Sequence, residues 1–371
     1  MNNKVSTINF KGYDAIPLRA LYMQGMTKRG ERIIVQQMKK IAEQEGVELI
    51  VNNPIKKPTD DLKTIYNKTL SIWRQDRKAF VQNRFGKQLL WSTKEVVDDE
   101  NIKPYFADFE INAESYMPRG GNYYVGYKEN GEKWLLINGF SLVDQNSFDE
   151  IGDEPTEEHL KDLFDIKTEN IIKLYDISND IDEIVRPVGY PYILVNDYNL
   201  SFENLEKMYQ KFPQSIDIYD EIKKFLTSKI KATSECSAFP AADKICKELE
   251  EFGFVPIRIG ARYSKDINYM NAIAMKNKNN NITYITNSTK KSYPELEYLE
   301  KLFDAELRSK VPKIDTTYYV SGGKRTAFER ELEQDFSRGF QFRNVIMDIL
   351  ANRLGGIHCM TAEVPDFDKI G

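Results

Sequence analysis

The chain has 371 residues, a formal net charge of −5, 41% hydrophobic and 12% aromatic residues. That is enough apolar material for a large core, and its Lys and Arg are spread out with no basic stripe, which argues against a nucleic-acid partner. No apolar run approaches the roughly 18 residues of a membrane span. The N-terminal "MNNKVSTINFKGYDAIP" lacks a secretory pattern, and three scattered Cys with two His point to a reducing, cytoplasmic setting without disulfide or zinc.

"AIPLRALYM" reads as a strand, "KRGERIIVQQMKKIAEQEG" as a helix with Ile34, Val35, Met38 and Ile41 on one face, and "VELIV" as the next strand. Residues 80–104 read as a polar connection. "NYYVGY" and "KWLLING" flank a turn at Asn130-Gly131, a hairpin signature. "EIVRPV" and "YILVND" are strands leading into the helix "LSFENLEKMYQKF", with Ser201 as the expected N-cap. Its apolar stripe is Phe202, Leu205, Met208, Tyr209 and Phe212. "FPAADKICKELEEFG" sets Ile245, Leu249 and Phe252 on one face, with Gly253 closing the helix before the strand "FVPIRIG". "NAIAM" and "ITYI" are joined by the turn-rich "KNKNNN", and "SYPELEYLEKLFDAEL" follows as a helix. Residues 322–344 read as a charged helical insertion. No Pro- or Ser-rich linker divides the chain, so one domain is expected over 1–371. The recurring unit is strand, strand, helix, strand, and periodicity alone leaves its arrangement open.

Four stretches carry residues suited to chemistry. In "RLGGIHCMTAEVP", Gly355 and Gly356 allow a tight turn before Cys359. A nucleophilic thiol at a cleft and a small buried side chain are both open for Cys359. In "SIWRQDRKAF", Trp73 and Asp76 could hold a cation between a π face and a carboxylate, or could be a packed Trp and a surface Asp. In "MPRGGNYYVGY", Asn122 could bond a ligand or its own turn. In "DISNDIDEIVRPVG", Asp180 and Asp182 alternate on a strand-like segment and so are expected on one side, where two carboxylates need a cation or a shared proton; a solvated acidic loop is the other reading.

Taken in order, these stretches resemble the pentein family of guanidine-modifying enzymes, in particular agmatine deiminases and bacterial-type peptidyl-arginine deiminases. "GGIHCMT" is similar to the family's Gly-Gly-x-His-Cys-x-Thr segment, and "IWRQD" to its early Trp-Asp motif. "RGGN" is similar to Glu-Gly-Gly-Asn, and "YMNA" with Asn271 to a Tyr-x-Asn segment lining the site. The match in motif order spans about residues 15–365, and only the C-terminal motif is highly specific alone. The resemblance implies an α/β propeller of five ββαβ-type modules with pseudo-fivefold symmetry and a central site. It also implies the chemistry. Cys359 would attack the guanidinium carbon, and Asp76 and Asp182 would hold the guanidinium nitrogens. Trp73, Asn122, Asn271 and His358 would line the substrate pocket. No cofactor or metal is implied. The partner would be a small cationic guanidino compound or an arginine peptide, and a homo-oligomer is compatible with this.

The chain departs from the family pattern at two positions. Asp180 stands where the His of His-x-Asp would protonate the leaving amine, and Arg119 replaces the acidic residue before Gly-Gly-Asn. His159, on the acidic helix start "DEPTEEHLKDLF", reads as a surface residue. In an extended segment His358 points away from its neighbour Cys359, so it is no replacement acid. Asp76, Asp180 and Asp182 near one thiol would raise its pKa until a guanidinium cation arrived, and Asp180 is the candidate acid in the His position. Three readings stay open: a deiminase releasing ammonia, an amidinotransferase on the same scaffold, and a non-catalytic pentein that binds a guanidinium or a protein.

Overall fold

The apolar run at the start of the chain becomes β1 (Ile16–Gln24), followed by α1 (Arg29–Glu45) and β2 (Glu48–Asn52). Ile34, Met38 and Ile41 on α1 are buried, and each contributes about 1.5–3 kcal/mol relative to exposure. The structure, a computed structural model, describes residues 14–24, 29–52, 78–82, 87–92, 106–113, 123–128, 130–139, 157–174, 181–235, 242–264, 267–288, 293–320 and 361–369.

One pairing pattern recurs through these residues. A first strand lies antiparallel to a second, and the second lies parallel to a third. It is formed by β3 (Lys78–Gln82), β4 (Gln88–Ser92) and β5 (Glu110–Ala113). It recurs in β6 (Tyr123–Tyr127), β7 (Lys133–Asn138) and β8 (Ile171–Leu174). Next come β9 (Val185–Pro187), β10 (Tyr192–Asn196) and β11 (Val255–Ile259). The fourth triad is β12 (Ile273–Lys276), β13 (Ile282–Asn287) and β14 (Ile314–Val320). The fifth combines β15 (Thr361–Pro365) with β1 and β2. A short parallel contact between β1 and β12 joins the last two triads into one six-stranded sheet.

The connections follow from strand direction. An antiparallel pair closes with a short turn, whereas a parallel pair needs a crossover. β7 reaches β8 through α2 (Glu157–Phe164), and β13 reaches β14 through α6 (Pro294–Lys310). The β10–β11 crossover is the most elaborate described, with α3 (Tyr198–Lys211), α4 (Ile216–Glu235) and α5 (Ala242–Glu251). The mixed α/β expectation therefore holds. No helix among the described residues is long and apolar enough to cross a membrane.

Several strands are buried on both faces. In β6 and β7, Tyr123, Val125, Leu135 and Ile137 join one core cluster, while the alternate residues Tyr124, Trp134 and Leu136 join another. β1 divides the same way, with Leu21 and Met23 on one side and Ala20 and Tyr22 on the other. Such strands read as continuous apolar runs, as these do.

Local expectations met mixed outcomes. Gly253 has φ +84°, and the N–H groups of Gly253 and Phe254 donate to the carbonyls of Glu250 and Leu249. That is the double hydrogen bond by which a left-handed glycine ends a helix. Ser201 is not the N-cap of α3. Asp197 is, its carboxylate accepting from Asn199 N–H at 2.8 Å, and Ser201 is buried inside the helix. Phe252, expected on the apolar face of α5, is exposed because it lies beyond the helix end, in the closing turn. Across the first part of 80–104, expected as a polar connection, the apolar pieces "KAFVQ" (78–82) and "QLLWS" (88–92) pair as β3 and β4. The segment 322–344 lies outside the described residues.

Candidate functional site

Two predicted site residues fall within the described residues, and they touch. Asp182 is fully buried, and its Oδ2 accepts a hydrogen bond from Asn271 Nδ2 at 2.7 Å. They come from different triads, 89 positions apart in sequence. Asp182 sits in a single turn of 3-10 helix, Ile181–Glu183, just ahead of β9. The turn is closed by Ile184 N–H on the Ile181 carbonyl at 3.0 Å and anchored by Ile181 in the core. This corrects the strand reading at Asp182, whose helical turn does not follow the two-residue alternation of a strand; Asp180 lies outside the described residues.

Asn271 is placed by its own neighbourhood. Asn268 Oδ1 accepts from Met270 N–H at 2.9 Å, and Tyr284 and Thr286 on β13 both donate to the Tyr269 carbonyl. Asn287 Nδ2 donates to the Asn268 carbonyl at 2.9 Å. The segment before β12 is thus fixed to the adjoining strand.

Four positions further along from Asp182, Arg186 on β9 is fully buried. Its Nη2 lies 3.2 Å from Glu363 Oε1, also buried, on β15. The guanidinium stands over the Tyr124 ring of β6 at 5.1 Å. Burial holds the Tyr124 hydroxyl well above its ordinary pKa, with Arg186 pulling it down and Asp182 pushing it up. It is therefore a neutral hydroxyl at any physiological pH. Three strands from three triads meet at this cluster. Sequence reasoning passed over Arg186 and Glu363. Their one signal is a charged residue set between strand-forming neighbours, in "VRP" and "TAEVP".

Asp14 is another buried carboxylate. It accepts from the backbone N–H groups of Ala15 (2.8 Å), Tyr190 (2.5 Å) and Gly189. Burial raises its pKa to about 6 against the pull of those three donors. Cys246 on α5 is buried, and burial pushes its thiol up to about 11. No group of three or more His, Cys, Asp or Glu suited to a metal ion occurs among the described residues.

Cys359, His358, Asp180, Asp76, Trp73 and Asn122 lie outside the described residues. Their sequence positions against the strands are nonetheless informative. Asp76 precedes β3, Asn122 precedes β6, Asp182 precedes β9, Asn271 precedes β12 and Cys359 precedes β15. In every case the residue lies one to three positions ahead of the first strand of its triad. Five candidate residues thus occupy one equivalent place in five repeats.

No protein-family model and no curated protein matches the sequence. Solved structures do. The agmatine deiminase of C. jejuni overlays with a TM-score of 0.50 at 13% identity, covering 98% of each chain. A structural-genomics protein proposed to be an agmatine deiminase gives 0.48 at 10% identity, over 96% of each. ArgZ, a cyanobacterial arginine dihydrolase, gives 0.42 at 12% identity, over 93% of this chain and 39% of its own. At 13% identity the first likeness is one of fold.

Proposed function

We propose that the chain is a guanidino-group hydrolase, a deiminase acting on agmatine or on a free or peptidyl arginine. The observation that carries it is the equivalent placement of Asp76, Asn122, Asp182, Asn271 and Cys359 ahead of the five first strands. Closure of the triads about a common axis, as in a five-module propeller, would bring those lead-ins to one centre. The hydrogen bond between Asp182 and Asn271, which lie in two of those lead-ins, supports this reading.

In this reading Asp76 and Asp182 receive the paired N–H donors of a planar guanidinium. The cation offsets their charge and favours the Cys359 thiolate. The sulfur bonds to the guanidinium carbon, and a C–N bond breaks. The departing nitrogen takes a proton and leaves as ammonia, with Asp180 as the donor in the place of the family's His. Water then gives a proton to the Asp180 carboxylate as it adds to the thiouronium carbon, the added hydroxyl loses its remaining proton to solvent as the C–S bond breaks, and a ureido product leaves with the thiolate restored. Attack by an amine in place of water would give amidino transfer on the same residues. Binding without turnover is the reading favoured by the Asp180 substitution itself.

The test is to incubate the chain with agmatine, arginine and an arginine peptide and to measure ammonia and ureido product, with Cys359→Ala beside it. A haloacetamidine reports the thiol independently, with the label mapped by peptide mass spectrometry to separate Cys359 from Cys236 and Cys246. Ammonia and label, both lost in Cys359→Ala, are expected. No product with any of the three and no label on Cys359 would remove both enzyme readings. Product only with an added amine would make it a transferase.

A further inference from the structure

The turn that carries Asp182 is gripped from two sides by one stretch of chain, Gly260 to Asn271. Asn271 holds Asp182 at 2.7 Å. Near the other end of the stretch, Arg262 Nη2 holds the neighbouring Glu183 at 2.8 Å. Arg262 is 3% exposed, so this is a costly placement for a permanent cation. The stretch folds back on itself through an isolated bridge between Arg262 and Asn268 and a bond from Tyr269 N–H to the Ala261 carbonyl at 3.0 Å. That return brings Arg262 and Asn271 onto the same turn.

Asn196, the last residue of β10, ties the arrangement together. Its Oδ1 accepts from Ala261 and Arg262 N–H at 3.1 and 2.9 Å, and its own N–H donates to the Ile184 carbonyl at 2.8 Å. The guanidinium is aimed from the outer side. Nη1 lies 3.5 Å from the Tyr198 hydroxyl of α3, and the Phe225 ring of α4 stands 5.8 Å from its carbon. The three-helix crossover therefore touches the Asp182 turn through Arg262.

We propose that Arg262 is a positioning residue: through Glu183 it fixes the 181–183 turn so that the Asp182 carboxylate presents one geometry to a guanidinium. The inference rests on the deiminase reading for its consequence in turnover and on the contacts alone for its consequence in local order. A buried ion pair is weak evidence for stability, because desolvation offsets its attraction. Its clearest effect is directional, since the planar fork of Arg fixes where a carboxylate sits.

The experiment uses the full chain with Arg262→Lys, Arg262→Met, Glu183→Gln and the Arg262→Met/Glu183→Gln double. Two readouts are taken: kcat and KM with agmatine and arginine, and amide hydrogen exchange of the 181–187 segment by mass spectrometry. Arg262→Met and Glu183→Gln are each expected to lower kcat/KM by at least about tenfold. The double should be no worse than the poorer single, because both substitutions break the Arg262–Glu183 pair and Arg262→Met alone also loses Tyr198 and Phe225, and Arg262→Lys should recover part of the loss. Exchange at 181–187 should rise in both singles, with α3 protection unchanged. Losses that multiply in the double, full activity in Arg262→Met, or unchanged exchange at 181–187 would overturn the inference. If the wild type turns over no guanidine, the functional reading falls and the exchange data still decide the positioning. Should Arg262→Met fail to fold, Arg262→Lys and the partly exposed Glu183→Gln carry the same comparison.

Discussion

Glu363→Gln tests the cluster at which three triads meet. Arg186 and Glu363 are both buried, with 3.2 Å between Nη2 and Oε1. Removing one partner of a buried ion pair costs about 3–5 kcal/mol. For 371 residues, an unfolding entropy of about 0.8 kcal/mol/K converts that into a fall in Tm of roughly 4–6 °C. Arg186→Met with Glu363→Leu removes both charges and keeps comparable volume, with the Met able to lie against the Tyr124 ring. That double should fall within about 1–2 kcal/mol of the wild type, or above it. Thermal and urea unfolding followed by tryptophan fluorescence reads both, because Trp134 is fully buried. Glu363→Gln within about 1 kcal/mol of the wild type, or a double as unstable as the worse single, would refute the reasoning.

Asp14 should make stability fall as pH rises. Its folded-state carboxyl keeps a proton to about pH 6, against 3.8 for an ordinary Asp side chain. Between those values the unfolded chain has already lost the proton, so the folded state gives up about 3 kcal/mol, completed above pH 6. The gap in unfolding free energy between wild type and Asp14→Asn, measured from pH 3.5 to 7, should shift against the wild type by that amount; a flat gap counts against it. Gly126→Ala should cost about 3 kcal/mol or more, because a Cβ there would sit 2.7 Å from Asp14 Cβ and inside contact with the Trp134 ring. A denaturation midpoint equal to the wild type would show that the ring can move aside.

The elements with long periodic signals were legible. The heptad-like spacing of α1 and α6 and the Asn-Gly hairpin of β6 and β7 are local, and local sequence decides them. Of the chemistry, Asp182 was picked out by its acidic stretch and then by motif resemblance, Asn271 by resemblance alone, and their contact follows from chain folding that no spacing reveals. The turn at 181–183 was misread because a two-residue alternation over so few positions cannot separate a strand from a helical turn. β3 and β4 were hidden by flanking polar residues, which outweighed two short apolar pieces. α4 went unmarked although Tyr219, Ile222 and Leu226 recur at helical spacing and are buried. Arg186, Glu363 and Arg262 read as ordinary surface charges in a single sequence. Only their partners, far off in the chain, give those charges a reason to be inside.

The fifth triad has a consequence for synthesis. β1 is the earliest of the described strands and finds its parallel neighbour β2 soon after, yet its antiparallel neighbour β15 is the latest of them, with Leu21 opposite Glu363. Until β15 emerges, one edge of β1 has unpaired backbone groups and is open to a wrong strand. Pairing so distant in sequence is also slow to find. The segment holding Cys359 directly precedes that last strand. In a nascent chain Cys359 is therefore made after the strands of the other four triads.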